Sequence, residues 1–296
     1  MIFDICIIEI YLKLSESEKI FMTFMKGNKE KLSASIFLYI IYIAMVFIST
    51  HCLMPRTIWA LTEKAPQLFL EANQAYENGD YHSAAALYES ILDADIRSGM
   101  IYYNLGNCYV KLSEIGKALL NYRHAQLLLP RDGDLSFNLQ YVLDQRKDRI
   151  ETRDRLPIAK AFFFWYFWLS LRELSFIFLM ANLVFWCVSL ILLYKNHNTL
   201  RWIRTLSLCI VLIFGISLGT KAYRQNFIRQ GVVITSEATV RSGNGPNHSP
   251  LFVLHEGAEF RVDEETKGWM KIRLGDGKIG WVSSSAVEVI YSKRLK

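Results

Sequence analysis

Residues 175–194 read SFIFLMANLVFWCVSLILLY, without one charged side chain. A second uncharged run, TLSLCIVLIFGISLGT, fills residues 205–220, and Ala222 and Tyr223 extend it past Lys221. A helix rises about 1.5 Å per residue, so about 20 apolar residues cross a hydrocarbon layer roughly 30 Å thick. Only Lys195-Asn196-His197-Asn198-Thr199-Leu200-Arg201-Trp202-Ile203-Arg204 lies between the runs. So short a connection joins antiparallel helices, and the chain before the pair (174–223) shares a side with the chain after it. Lys195, Arg201 and Arg204, with no acid among them, place the turn in the cytoplasm by the positive-inside tendency. Arg172, Lys221 and Arg224 on the outer flanks weaken that bias. The alternative is a buried helical pair in a soluble core, against which stands the rarity of uncharged stretches of this length in soluble helices.

The 296 residues leave room for two small domains besides the spans. The net charge of +6 is spread along the chain, which suits anionic headgroups near the spans and argues against a nucleic-acid face. Five cysteines are present. Cys6 and Cys52 fall in the N-terminal region and Cys187 and Cys209 in the spans, so Cys108 alone falls in a soluble domain. No disulfide framework, CxxC motif or metal centre is expected.

Residues 1–60 read as a signal peptide or N-terminal anchor, with Met22 or Met25 the better start. Lys26, Lys29 and Lys31 form a basic region before the apolar stretch 36–48, whose length of about 13 residues suits a signal peptide better than a span. Ile58 fits a cleavage after Ala60 poorly, and His51 fits a lipid-anchored Cys52 poorly. Either form exports the domain that comes next.

Residues 66–153 read as repeats with a closing helix, the internal repeat running from Pro66 to Pro130. Ala72 and Gly106, Asn73 and Asn107, Ala84 and Ala118, and Tyr88 and Tyr122 each lie 34 residues apart, the tetratricopeptide period. Small residues let two helices of a unit approach, and Leu87, Tyr88, Leu119 and Tyr122 fill the space beside them. Asn78-Gly79-Asp80 and Leu112-Ser113-Glu114 supply the turns, and Pro130 stops the last helix. Phe137-Asn138-Leu139 repeats Tyr103-Asn104-Leu105 without a second patterned helix, so a closing helix is expected from Asp134 to about Arg153. Arrays of this type bind peptides on the concave face, where Phe69, Asn73, Tyr76, Tyr103, Asn107 and Val110 are expected, with Asn104 and Asn138 nearby. Asparagine amides donate and accept at once and can hold a peptide backbone; helix-packing contacts are the alternative role. Phe69 and Tyr103 replace the lysines of a carboxylate clamp.

Residues 157–173 contain Phe162-Phe163-Phe164-Trp165-Tyr166-Phe167-Trp168, too short to cross a membrane and too aromatic for a loop, hence an interfacial helix. An aromatic contact surface for a membrane partner is the other use. From 231 to 291 the pattern alternates: 232–234, 238–241, 259–262, 269–273 and 278–282 read as short strands, with a hairpin signal at Asp276-Gly277. Thr239-Val240-Arg241-Ser242, His255-Glu256-Gly257, Gly268-Trp269 and Gly280-Trp281 resemble the bacterial SH3 domain. The resemblance implies a small barrel whose groove near such tryptophans binds cell-wall peptides. Trp281 is expected chiefly in the core, and Trp269 is the better surface candidate.

The expected fold class is thus a multidomain membrane protein: all-α tetratricopeptide repeats, a transmembrane helical hairpin and a C-terminal all-β SH3-like barrel. This order, with Leu251-Phe252-Val253-Leu254-His255-Glu256-Gly257 leading to Gly277-Lys278-Ile279-Gly280-Trp281-Val282, resembles the BatE family of the Bat aerotolerance operon. The resemblance implies a scaffold acting with von Willebrand factor A-type membrane proteins and a MoxR-type ATPase, multi-pass in the inner membrane, with both soluble domains periplasmic. It carries no catalytic residue and no cofactor. His248 and His255 alone occur in the barrel, and no phosphate loop, paired carboxylates or HExxH appears, so an enzyme is not expected. A peptidoglycan-binding envelope sensor, or an accessory to a cell-wall enzyme, is the alternative.

Overall fold

The computed structural model describes residues 64–149, 163–195 and 197–290. The chain divides into two compact units, Met1–Pro55 and Arg56–Lys296, and every described residue belongs to the second. The signal or anchor segment 1–60 therefore lies outside the described residues, as do 150–162, which include the ends of the expected closing helix and aromatic segment.

Helices α1 (Lys64–Glu77), α2 (Tyr81–Asp93), α3 (Gly99–Lys111), α4 (Ile115–Leu128) and α5 (Gly133–Gln145) form the array. The turns recur with the sequence period. Gly79 between α1 and α2 has φ +81°, and Ser113 between α3 and α4 has φ +64°. Asp80 and Asp132 cap α2 and α5 by accepting from Ser83 N at 3.1 Å and Leu135 N at 2.9 Å. Gly106 permits a close approach: a Cβ there would lie 2.5 Å from the Tyr122 ring. The closing helix ends at Gln145, short of the expected Arg153, because Arg146 turns extended and the next residues are used against the barrel.

After the short aromatic helix α6 (Phe164–Trp168) come α7 (Leu171–Tyr194) and α8 (Asn198–Phe227), packed antiparallel. Ser170 and Glu173 close a capping box at the start of α7. At 24 and 30 residues, the two helices span about 36 and 45 Å. Both are long and apolar enough to cross a membrane, with 6% and 11% of their most apolar windows buried. The expected ten-residue turn is shorter in the structure, since α8 begins at Asn198 and carries Arg201 and Arg204 on its first turns.

The C-terminal sheet has seven antiparallel strands in the order β3-β2-β6-β5-β4-β1-β7. They are β1 (Arg229–Val233), β2 (Glu237–Arg241), β3 (Pro250–His255), β4 (Glu259–Thr266), β5 (Trp269–Arg273), β6 (Ile279–Ser283) and β7 (Val287–Val289). Alternation alone does not pick out strands β3 and β7. The tight hairpin is Lys267-Gly268, with φ +50° and +80°, joining β4 to β5. Asp276-Gly277 lies in a wider turn closed by Leu274 N to Lys278 O at 2.9 Å. The barrel has its own core around Val240, Phe260, Ile272 and Val282, but Val232 and Ile290 are buried in the core of the helical array.

Candidate functional site

The asparagines expected in the groove form two copies of one hydrogen-bonded tie. Tyr88 Oη donates to Asn73 Oδ1, and Asn104 Nδ2 donates to the same oxygen at 3.2 Å. One period later Tyr122 Oη donates to Asn107 Oδ1 at 2.6 Å, and Asn138 Nδ2 donates to it at 3.1 Å. Each tie fastens the first and second helices of one hairpin to the first helix of the next. Burial pushes the Tyr88 and Tyr122 hydroxyls above their ordinary pKa, so both stay protonated donors. In the second tie Asn138 also reaches Tyr103 Oη at 3.0 Å; Phe69 stands one period before Tyr103 and has no hydroxyl. Phe69 instead meets Tyr88 edge-on at 5.9 Å, Tyr76 meets Tyr81 at 5.2 Å, and Val110 packs on the array core. The asparagine oxygens are therefore occupied within the array.

Four large apolar or aromatic side chains stand exposed on this face, beside the exposed Asp144 one period after Val110. Leu70, Met100, Phe137 and Tyr141 are 66%, 57%, 74% and 51% exposed. Leu70 is the period equivalent of Asn104 and Asn138, Phe137 of Phe69 and Tyr103, and Tyr141 of Asn73 and Asn107. Met100 lies one turn before Asn104. Reading the period across into α5 and back into α1 would have found these positions.

Trp269 and Trp281 share the outer face of β5 and β6. Lys271 pairs directly with Trp281, which also pairs with Arg241 on its other side. Both indoles are half-buried and neither joins the barrel core. The expectation that Trp281 is chiefly core is thus corrected: strand alternation turns Gly280 and Val282 inward and Trp281 outward. Each Gly-Trp pair has its own cause. Gly280 sits where a Cβ would collide with Val240 Cγ1, and Gly268 supplies the positive φ of the hairpin.

The His255-Glu256-Gly257 segment has a use that its sequence does not disclose: it docks the barrel on the array. Glu259 accepts from Arg123 Nε at 2.7 Å and Nη2 at 3.0 Å, and from Arg146 Nη1 at 3.1 Å. Glu256 accepts from Gly116 N at 2.8 Å. Asp148 takes the His255 backbone N–H at 2.6 Å and lies 3.0 Å from its Nδ1, while Lys147 Nζ lies 2.6 Å from Nε2. Gly257, at φ +80°, leaves space for Arg146, whose Cγ would be 2.9 Å from a Cβ there. Burial lowers the Arg146 pKa and the Glu259 carboxylate raises it back in part.

Other reactive groups are muted. Burial pushes the Cys108 thiol up to about 12. It pushes His124, stacked on Tyr102 at 4.8 Å, down to about 4. His248 is exposed in a loop. Among the described residues no group of three His, Cys, Asp or Glu could hold a metal ion.

Comparison with known proteins defines part of the class. The bacterial SH3 domain family matches residues 236–288, so the chain carries a bacterial SH3 domain at its C-terminus. Over 61 residues the chain is 36% identical to Tetratricopeptide repeat protein 28 of Homo sapiens, an alignment covering 21% of this chain and 2% of that protein. The chain therefore spans a very small part of that relative, and the similarity is local.

Proposed function

We propose that this protein is a membrane-anchored, non-catalytic adaptor in which a tetratricopeptide array and an SH3 barrel work as one rigid body. The observation that carries this reading is the Glu259 clamp: it joins two modules of binding type while Leu70, Met100, Phe137 and Tyr141 stay open. The clamp also supports the topology, because residues in direct contact occupy one compartment. With α7 and α8 crossing the membrane and the basic turn cytoplasmic, that compartment is the periplasm. A period of 34, two apolar helices and a terminal SH3 domain, in this order, support a BatE-like component of the Bat aerotolerance system. Its partners would then be von Willebrand factor A-type membrane proteins and a MoxR-type ATPase system.

The array face would take a protein segment, held mainly by apolar contacts with the asparagine ties as floor. Leu70→Glu combined with Tyr141→Glu, in full-length protein purified in detergent, should abolish co-purification of protein partners without lowering thermal stability. Unchanged partners would remove the groove. The outer face of the barrel, with Trp269, Trp281 and Lys271, would hold a second partner or the wall. The bacterial SH3 match favours testing peptidoglycan first. Co-sedimentation with purified peptidoglycan should be lost in Trp269→Ala with Trp281→Ala, and no sedimentation of the wild type would leave a protein as the partner.

A further inference from the structure

Helix α6 has two faces of different surroundings. Phe163 just before it and Phe164, Phe167 and Trp168 on it are 52%, 55%, 43% and 59% exposed. Trp165 and Tyr166 turn the other way, onto α8. Trp165 Nε1 donates to Ser217 Oγ at 3.2 Å, and its ring lies 6.4 Å from Phe214. Lys221 Nζ donates to Tyr166 O at 2.9 Å and to Leu169 O. Phe214 and Ser217 belong to the apolar run that Lys221 ends. The aromatic helix therefore lies beside the last turns of that run, not beyond them.

A helix this short leaves its last carbonyls without partners inside the helix. In hydrocarbon no water takes their place. The Lys221 ammonium supplies the missing donors for Tyr166 O and Leu169 O, and its own charge is met by those carbonyls. The neighbours of the exposed ring face identify its cover. Ile216, next to Ser217 on α8, is 68% exposed and Phe176 on α7 is 59% exposed, so the helices beside α6 also present apolar side chains outward. A crossing hairpin presents this surface to lipid.

We propose that α6 is a third membrane element that does not cross: an aromatic wedge seated in the single leaflet on the side of the array and barrel, with lipid as its partner and Lys221 as its pin. This rests on the reading of α7 and α8 as a membrane-crossing hairpin. The wedge also sets how the rigid body stands on the membrane. Glu173, which caps α7 three residues after Ser170, pairs with Arg131 at the foot of the array. Exposed aromatics at headgroup level and just below it are the side chains that lipid interfaces favour.

The test uses the full chain in lipid nanodiscs whose phosphatidylcholine carries bromine near the headgroup or near the chain ends. The emission of Trp168 and of Trp186 is isolated by subtracting Trp168→Phe and Trp186→Phe. Trp186 lies about 5 Å along the helix from the middle of α7. The wedge predicts that shallow bromine quenches Trp168, that deep bromine quenches Trp186, and that aqueous iodide reaches neither. If Trp186 responds to deep bromine while iodide quenches Trp168, the wedge is wrong and the hairpin stands. If neither responds to brominated lipid, the hairpin itself falls, and the wedge with it. Lys221→Met should move Trp168 from lipid quenching to iodide quenching, and Lys221→Gln, which keeps a donor, should restore part of the lipid signal. Lipid quenching of Trp168 that is unchanged in Lys221→Met would remove the pin.

Discussion

Glu259→Gln is the substitution on which the coupling of array and barrel turns. It keeps the shape of the side chain and removes the charge that Arg123 and Arg146 share at 2.7 to 3.1 Å. The three side chains are 29%, 27% and 15% exposed, which places the cluster between a surface pair and a buried one. Surface pairs are worth about 0–1 kcal/mol, and removing one partner of a buried pair costs about 3–5 kcal/mol, so about 2 kcal/mol is expected. For a body of this size that is a fall in Tm of about 4–8 °C. The assay is thermal unfolding of the full chain in detergent, followed at once by helical signal and by barrel tryptophan emission. Wild type should lose both together, because Val232 and Ile290 of the barrel are buried in the array core. Glu259→Gln should lower the melting point and begin to separate the two signals. Glu265→Gln, which breaks an exposed 2.6 Å pair with Arg229, is the control and should cost less than about 0.5 kcal/mol. A Glu259 variant that melts like this control, in step in both signals, would refute the clamp.

Tyr88→Phe and Tyr122→Phe should each cost about 1 kcal/mol in denaturant unfolding, because each removes one donor from an asparagine oxygen that keeps another. Unequal costs would mean that the two ties are not equivalent. Gly106→Ala should destabilise by about 1–3 kcal/mol, since its Cβ would meet the buried Tyr122 ring, whereas Gly133→Ala, with nothing within 4 Å, should be near neutral. The folded pKa of His124 is depressed to about 4 from 6.5, so its neutral form contributes stability that is complete above 6.5. That contribution is lost as pH falls from 6.5 towards 4, because the unfolded chain binds the proton first. His124→Phe, which keeps the stack on Tyr102, should flatten stability over this window; an unaltered pH profile would show that another group sets it.

The helical hairpins are legible in the sequence because close packing repeats itself: wherever Ala72 or Gly106 lets helices meet, a large ring fills the space beside it, and the period emerges. The role of Asn73 and Asn107 is not legible, since an amide facing a ligand and an amide facing a tyrosine one helix away look alike in sequence. Trp281 is open to a better reading, because strict alternation already assigns Gly280 and Val282 to the inside. His255-Glu256-Gly257 stands out as a motif of its domain. Its partners Gly116, Arg146 and Asp148 are far away in sequence, and no local pattern joins them. The turn between α7 and α8 looks longer in sequence than it is because Arg201 and Arg204 resemble loop residues, although arginine is a good helix former.

Single cysteines at Gln140, Asn244 and His197, each in a cysteine-free chain and labelled on intact cells with a membrane-impermeant maleimide, place the array, the barrel and the turn relative to the bilayer. The first two, exposed on the array and on the barrel, should react alike, and His197, in the turn between the two long helices, should react only after the inner membrane is opened. Labelling of Gln140 and Asn244 from opposite sides of the membrane would contradict a single clamped body and the hairpin that carries it.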